Sequence, residues 1–385
     1  MRFTDERSKY GRYVPAIVFL LFVYGLGAWF LFAPKLEYSS QEKRYLEQFP
    51  TVSVDTVASG EFGTGFEKFF ADQFPARNFW VGTNAYYALD TGNNGANGVY
   101  KCGNDYLINK PVSTDNKLQK NVTAITSFAA ATDVPVTAMF APSTGYIAGD
   151  VLPTFHDKYN DDMYFDSVRK IFDGAGVGFV DLRSRFKSEY KKGTQLYYKT
   201  DHHWTTAGAY TAYTELCKAL GTTPLDKSSF DVKSYPDFYG TTYSTSGFWF
   251  NPSDNIEVWS NPQNTKQNIK VKITEGTSTL AYDSMYFYNH IKEDDKYPVF
   301  LDGNHALTEI TNSKAKGGTI LLIKDSFSHS LAPFLADNYS KVVLVDMRYY
   351  KMNVSELVKK EKPEHIVVLY GIDNIATDTD LVWLS

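Results

Sequence analysis

The hydrophobic positions of this 385-residue chain begin with one long uninterrupted run and continue as many short ones. The long run, residues 13–34, contains no charged residue. A helix rises about 1.5 Å per residue, so a run of this length can cross the hydrocarbon core of a membrane. We therefore predict a transmembrane helix over residues 13–34. The short tail before it, residues 1–12, is basic, and its cationic residues are Arg2, Arg7, Lys9 and Arg12.

A basic tail before an apolar helix is typical of a cytoplasmic segment. We therefore predict a single-pass protein of the cell membrane, with a cytoplasmic N-terminus and an extracytoplasmic domain. A cleaved signal peptide is the alternative, because its apolar core also follows positive charge. The run is longer than a usual signal core and no small-x-small site closes it, which favours the uncleaved anchor.

The chain beyond the anchor divides into an arm and a domain. Aromatic residues recur at helical spacing from Phe62 to Phe70, so residues 35–90 are predicted to form a juxtamembrane helical arm. Residues 91–385 are predicted to form the extracytoplasmic domain.

Short apolar runs alternate with helical patterns through that domain. Continuous runs of Val, Ile and Leu bounded by helices are typical of a parallel sheet that is buried on both faces. We predict an α/β fold with strands at 134–142, 176–182, 317–326, 341–347 and 363–372. Residues 228–316 have no helical periodicity, and they predict a β-rich insertion or a set of long loops near the substrate cleft.

Composition excludes several classes of function. The formal net charge is −5 and no basic block occurs, so no nucleic-acid partner is expected. Cys102 and Cys217 are too few for a disulfide framework or a cysteine metal site, and we expect no metal and no cofactor. Aromatic residues make up 16% of the chain, which is common in sugar-handling proteins but fits an ordinary tyrosine-rich core equally well.

Two segments carry candidate chemistry. Ser326 follows an apolar strand and precedes a helix, which places it at the sheet edge where α/β proteins bind ligands. Asp201 and His203 are two residues apart, so in an extended segment their side chains share a face. A serine nucleophile needs a histidine base that a carboxylate orients. The same residues also fit helix caps, and the Asp-His-His cluster also fits a metal site.

The order and content of the motifs resemble a known family. The sequence T-D-H-H-W at 200–204, followed by K-D-S-F at 324–327, is similar to the DHHW proteins, which in turn resemble the SGNH-hydrolase-like proteins of alginate O-acetylation, the AlgJ and AlgX group. Further similar segments extend over most of the extracytoplasmic part: FADQFPARN, NGVY with YLI, FAPS with LP, TDHHWTTAGA, KDSFSHSLAPF, VDMRYY and VVLYG.

The resemblance implies an SGNH-hydrolase-like fold and an acyl-serine mechanism. Ser326 would be the nucleophile, His203 the base and Asp201 its orienting carboxylate. The expected activity is O-acetylation of a cell-surface or secreted polysaccharide, with a membrane-bound acyltransferase partner as the source of acetyl groups. A carbohydrate acetylesterase with the same site is one alternative. A non-catalytic polysaccharide-binding or scaffold protein of a surface-assembly complex is the other.

Five further residues are candidates for the oxyanion hole or the site lining. Tyr370 and Gly371 end the last strand, and Ser143 follows an earlier strand at the same edge. Lys324 stands where SGNH hydrolases carry the glycine of their G-D-S motif. Arg348 follows another strand, where it can contact an anionic sugar or form a structural salt bridge.

Overall fold

The structure is a computed structural model that describes Gly11, residues 13–113 and residues 116–384. The chain forms two compact units, one that ends at Tyr87 and one that begins at Ala88. The four basic residues of the N-terminal tail lie outside the described residues, so the orientation of the anchor stays a prediction.

The N-terminal unit contains one apolar helix and a small helical arm. Helix α1 has no buried residue and is long and apolar enough to cross a membrane, which is consistent with a single-pass anchor. In the arm, the aromatic ring of Phe49 packs edge-on against Phe62, Phe66 and Phe69. The elements are α1 (Val14–Phe32), β1 (Tyr38–Ser39), β2 (Arg44–Tyr45), α2 (Val54–Ala58), α3 (Glu61–Asp72) and α4 (Arg77–Asp90).

The second unit alternates strands and helices. Its strands are β3 (Gly95–Ala96), β4 (Val99–Lys101), β5 (Leu107–Asn109), β6 (Val136–Ala141), β7 (Gly178–Asp181), β8 (Asp231–Phe238), β9 (Asp254–Ser260), β10 (Ile269–Glu275), β11 (Ser278–Tyr282), β12 (Leu307–Asn312), β13 (Gly317–Lys324), β14 (Tyr339–Val345) and β15 (His365–Gly371). Its α-helices are α5 (Lys117–Ala130), α6 (Thr144–Ile147), α7 (Asp161–Ala175), α8 (Arg183–Lys191), α9 (Thr206–Ala219), α10 (Thr241–Ser246), α11 (Ser328–Leu335), α12 (Val354–Glu361) and α13 (Ile372–Thr377).

An eight-stranded sheet with the order β11-β10-β12-β14-β13-β15-β6-β7 organises this unit. The five strands from β14 to β7 are parallel, and they are the five predicted from the apolar runs. Ile323 pairs with Val345 on one side and with Val368 on the other, so β13, β14 and β15 end at the same edge. The predicted α/β fold, a mainly parallel sheet with flanking helices, is confirmed.

Each face of the sheet has its own hydrophobic core. Along β13, Ile320 and Leu322 pack into one cluster, which includes residues of α9 and α11. Leu321 and Ile323 pack into the other cluster, which includes residues of α5, α7, α12 and α13. This alternation is the two-residue period of a strand whose faces are both covered.

Residues 228–316 are rich in strands, and most of these strands belong to the main sheet. β10, β11 and β12 extend it beyond β14 with antiparallel pairing. Only β8 and β9 form a separate two-stranded sheet. The segment also contains α10, a short helix that the sequence pattern did not predict. The insertion is therefore built into the edge of the sheet, next to the strands that carry the candidate site.

Candidate active site

The turn between β13 and α11 places Ser326 at the carboxyl edge of the sheet. Asp325 holds this turn: its Oδ1 accepts the N–H of Phe327 at 3.0 Å, and its Oδ2 accepts the N–H of Gly371 and the Nδ2 of Asn374, both at 2.7 Å. Burial raises the pKa of Asp325, although these three hydrogen bonds oppose the rise. The carboxylate therefore joins the serine turn to the end of β15.

The loop before α9 carries the candidate base, and a carboxylate from the β-rich segment anchors it. Asp254 accepts the N–H of Lys199 at 3.0 Å, and it accepts both the N–H and the hydroxyl of Thr200 at 2.7 Å. On the other side of the loop, Tyr197 and Trp204 form an antiparallel bridge.

The structure brings Asp201, His203 and Ser326 together. The Nδ1–H of His203 donates to Asp201 Oδ1 at 2.5 Å, so the other ring nitrogen is free to accept. The hydroxyl of Ser326 donates to this Nε2 at 2.6 Å. Asp201 and His203 are buried, while Ser326 lines an open cleft. Such a chain of hydrogen bonds activates a serine hydroxyl as a nucleophile.

Asp201 receives four hydrogen bonds. In addition to the ring, Oδ1 accepts the backbone N–H of His203 at 2.9 Å. Oδ2 accepts the N–H of Thr241 at 2.6 Å and its hydroxyl at 3.0 Å. Burial by itself would raise the pKa of Asp201, but the electrostatic interaction with the rings of His203 and His202, together with these hydrogen bonds, holds that pKa well below its usual range. The carboxylate therefore stays ionised.

Gly240 allows the backbone before α10 to approach Asp201. A Cβ atom at this position would lie 2.1 Å from the Cβ of Asp201, which no side chain tolerates. Neither Gly240 nor Thr241 was a sequence candidate, because they lie in a segment rich in Tyr, Ser and Thr that carries no spacing signal.

Aromatic side chains fix the imidazole of His203. The ring of Tyr297 stacks on it, with centroids 4.1 Å apart and planes 12° apart, and the Tyr297 hydroxyl donates to the carbonyl of Ser326 at 3.1 Å. The ring of Phe327 lies 5.1 Å from it. Trp204 donates its indole N–H to the carbonyl of Phe327 at 3.0 Å and thereby joins the histidine loop to the serine turn.

The cleft around Ser326 has a volume of about 520 Å³. Tyr370 lines it, but Gly371 does not, and the N–H of Gly371 already donates to Asp325. Gly371 is therefore not a free oxyanion donor, contrary to the sequence prediction. Among the described residues none accepts the N–H of Ser326. Asn374 was not a sequence candidate, but it also lines the cleft. Its Nδ2 donates one hydrogen to Asp325 and has a second hydrogen that can donate.

Lys324 and Arg348 belong to one ion network, and Arg348 also lines the cleft. Lys324 is buried and donates to Asp346 Oδ2 and to His329 Nε2, both at 2.9 Å. Arg348 donates to both oxygens of Asp346, at 2.8 and 2.6 Å, and to the side chain of Asn304. Burial lowers the pKa of Lys324, and burial together with the neighbouring Lys324 lowers the pKa of His329 well below its usual range. Arg348 thus forms the structural salt bridge that was the alternative to sugar binding.

Ser143 lies in a neighbouring cavity and not in the cleft of Ser326. Its N–H and its hydroxyl donate to Asp161, at 2.8 and 2.6 Å. The cavity has a volume of about 50 Å³ and is also lined by Asp373, whose pKa burial and the charge of Asp161 raise to about 7.

The donor atoms of Asp201, His202 and His203 lie within 4.8 Å of one another, which is close enough to hold a metal ion. However, Nδ1 of His203 faces Asp201, its Nε2 faces Ser326, and Nδ1 of His202 lies 2.6 Å from the hydroxyl of Thr241. This geometry suits an activated serine better than a metal centre.

The fold and the site define an α/β protein with a Ser–His–Asp hydrogen-bond chain at the carboxyl edge of its sheet. Residues 173–345 match the family model described as DHHW protein. This match confirms the predicted resemblance to DHHW proteins.

Known proteins resemble this chain in sequence or in fold. The chain is 25% identical over 203 residues to the probable alginate O-acetylase AlgJ of Azotobacter vinelandii, over 49% of this chain and 51% of the relative. The chain thus spans about half the length of the curated relative it matches. A DHHW family protein from Eubacterium siraeum has a TM-score of 0.61 at 17% identity, over 74% of this chain and 93% of that one. PatB1 of Bacillus cereus, in a structure with a sulfonyl adduct, has a TM-score of 0.59 at 16% identity, over 73% and 96%. At these identities the likeness shows the fold.

Proposed function

We propose that the chain is a serine-dependent O-acetyltransferase that acts on a polysaccharide at the outer side of the membrane, where α1 anchors it. The observation that carries this proposal is the hydrogen-bond chain from Asp201 through His203 to Ser326, at the wall of an open cleft. The similarity to a probable alginate O-acetylase supports acetyl transfer as the reaction.

In the first half of the proposed reaction, Ser326 Oγ attacks the carbonyl carbon of an acetyl donor while Nε2 of His203 takes the hydroxyl proton. The bond to the leaving oxygen breaks, that oxygen receives the proton, and an acetyl ester remains on Ser326. In the second half, His203 removes the proton of a sugar hydroxyl, whose oxygen attacks the ester carbon. The bond from that carbon to Ser326 Oγ breaks, and His203 returns the proton to Oγ. Asp201 keeps His203 in the productive tautomer and stabilises its protonated form.

The negative oxygen that develops on the acetyl carbonyl needs hydrogen-bond donors. We assign this role to the N–H of Ser326 and to the second Nδ2 hydrogen of Asn374, both at the cleft. The acetyl donor would come from a membrane-bound acyltransferase partner.

The test uses the full-length chain in detergent with a chromogenic acetyl ester, and mass spectrometry follows acetylation of Ser326. Wild type should gain one acetyl group, and Ser326→Ala and His203→Ala should not. Ser328→Ala is the matched control, because this buried serine two residues away has no hydrogen-bond partner for its hydroxyl among the described residues. Wild type that is as inert as Ser326→Ala would contradict the proposal and favour the binding or scaffold function.

A carbohydrate acetylesterase would use the same residues with water as the acceptor, because the two reactions differ in whether water is kept from the acyl-enzyme. Acetate release is therefore measured with and without an oligosaccharide. A transferase should form sugar ester and release less acetate when the oligosaccharide is present. Release that the oligosaccharide does not change would identify an esterase.

A further inference from the structure

A loop with unfavourable backbone geometry, residues 301–304, forms part of the cleft wall. Asp302, Gly303 and Asn304 line the cleft of the candidate active site. Leu301, Asp302 and Gly303 have φ values of 58°, 62° and 87°, which lie in the left-handed region. Glycine adopts this region without cost, but a bulky residue such as leucine rarely does. Contacts around this wall loop must therefore hold its backbone in place.

One histidine side chain holds the wall loop between two carboxylates. The Nε2 of His290 lies 2.6 Å from Oδ1 of Asp302, and its Nδ1 lies 2.6 Å from Oε2 of Glu293 on its own turn. An ionised carboxylate only accepts hydrogen bonds, and a neutral imidazole has a single N–H to donate. Both hydrogen bonds therefore form together only when the His290 ring carries a proton on each nitrogen. Its side chain is 15% exposed, so water has limited access to it.

A second histidine contacts the wall loop from the side of β10. The Nδ1 of His305 lies 2.9 Å from Oε1 of Glu275, and its Nε2 lies 3.0 Å from the carbonyl oxygen of Asp302. The same Nε2 is 3.7 Å from Oδ2 of Asp302. The titratable groups around His290 are therefore Glu293 on its own turn, Asp302 and His305 on the loop side, and Glu275 behind His305.

The surrounding charges favour the protonated ring. Burial by itself would lower the pKa of His290, but hydrogen bonds to Asp302 and Glu293, together with their negative charge, raise that pKa above its ordinary value. A pKa that folding raises contributes stability in full below the unfolded-state pKa of about 6.5. This contribution is lost as pH rises through the folded-state pKa.

Movement of the wall loop would reach the candidate active site directly. Asn304 Oδ1 accepts a hydrogen bond from Nη2 of Arg348 at 2.9 Å, and both residues line the cleft. A few positions before the loop, the ring of Tyr297 stacks on His203. The loop thus connects the contacts of His290 to the shape of the cleft and to the support of the candidate base.

We propose that His290 is a latch on the cleft wall that a single proton operates. With both ring nitrogens protonated, the side chain joins the wall loop to the turn of Glu293. When one proton leaves to solvent, one of the two hydrogen bonds is lost, and the loop can relax from its left-handed shape. The latch therefore holds the wall at acidic pH and loosens it as pH rises. It concerns the shape of the cleft and does not depend on the proposed acetyl transfer.

The test compares backbone hydrogen exchange of residues 297–306 in full-length wild type and His290→Gln in detergent. Both proteins are measured at the same pH, so that the pH dependence of the chemical exchange rate cancels. At about pH 6 the variant should exchange at least about tenfold faster, because loss of a hydrogen bond between charged groups raises the open fraction. At about pH 9 the two should agree within about twofold, since the wild-type ring is then neutral as well. Equal exchange at the lower pH would overturn the proposal.

Two further variants separate the latch from a general loss of structure. His290→Arg keeps the positive charge and several donors but does not titrate, so at about pH 9 it should exchange more slowly than wild type. His156→Gln replaces an exposed histidine outside the cleft and should match wild type at both pH values. Exchange is expressed relative to residues 317–324 of β13, so that a change in global stability does not contribute. A His290→Arg protein that exchanges as fast as wild type at the higher pH would also overturn the proposal.

Discussion

Replacement of Asp201 by asparagine tests the candidate site most directly, because the carboxylate accepts four hydrogen bonds and an asparagine amide cannot accept all of them. His203 supplies two of them to Oδ1, and Thr241 supplies two to Oδ2. An amide has one oxygen and can accept on one side only. Its NH₂ group must then face donors, either at Thr241 or at His203. Two buried donors without acceptors, at about 1–3 kcal/mol each, should lower the free energy of unfolding by roughly 3 kcal/mol.

The effect on the rate follows from the same geometry. If the NH₂ group faces His203, the ring must carry its hydrogen on Nε2, and it can no longer accept the proton of Ser326. If the NH₂ group faces Thr241, the tautomer survives but the negative charge beside the imidazolium is lost. That attraction is worth about 4 kcal/mol at about 4 Å and an effective dielectric constant of about 20. At about 1.4 kcal/mol per factor of ten, Asp201→Asn should lower kcat/KM about 10³-fold.

Asp254→Asn is the matched control. Asp254 is also buried and also accepts four hydrogen bonds, all from residues 195–200 of the histidine loop and two of them from Thr200. It does not contact the ring of His203. We expect a similar loss of stability with kcat/KM within about tenfold of wild type, since it leaves the tautomer intact. Both variants are measured with the chromogenic ester and by chemical denaturation. An Asp201→Asn protein with a nearly normal rate, or an Asp254→Asn protein that is equally slow, would refute the reasoning.

Three further predictions concern stability. Gly240→Ala should destabilise the chain and lower activity together, because the new Cβ would overlap Asp201; thermal unfolding and ester turnover check this, and a normal melting temperature would contradict it. Trp204→Phe should cost about 2 kcal/mol in chemical denaturation, since the buried carbonyl of Phe327 loses its indole donor; an unchanged midpoint would argue against that bond. The pKa of His329 is lowered in the folded chain, so at mildly acidic pH only the unfolded chain takes up a proton on this group. Its contribution to the free energy of unfolding is therefore lost as pH falls below about 6.5. His329→Gln should lose less unfolding free energy than wild type on acidification, and an equal loss would contradict this prediction.

Much of the site could be predicted because it depends on local rules. A buried strand that ends before a helix puts the next residue at the sheet edge, which located Ser326. The period of two along an extended segment put Asp201 and His203 on one face. Ser143 also follows a strand at this edge, but its hydroxyl turns to Asp161. The rule locates a residue at the edge and does not determine what its side chain contacts.

The other contacts of the site form between segments that are far apart in the sequence, and residue spacing cannot predict such contacts. Gly371 was a candidate oxyanion donor because it ends β15, but Asp325 takes its N–H across the turn. Thr241 supports Asp201 from 40 positions away in sequence, and Tyr297 stacks on His203 from farther still. Neither residue lies in a recognisable motif.

The β-rich segment, residues 228–316, contributes residues to the site itself. In this segment Asp254 anchors the histidine loop, Thr241 donates to the carboxylate of Asp201, and Tyr297 stacks on the ring of His203. The same segment contributes Asp295 and Asp302 to the cleft wall. The serine turn comes from the parallel core, whose geometry follows from general packing rules. One segment therefore both orients His203 and contributes to the cleft wall, so a sequence change in this segment that alters the cleft would have to preserve the contacts that hold His203 in place.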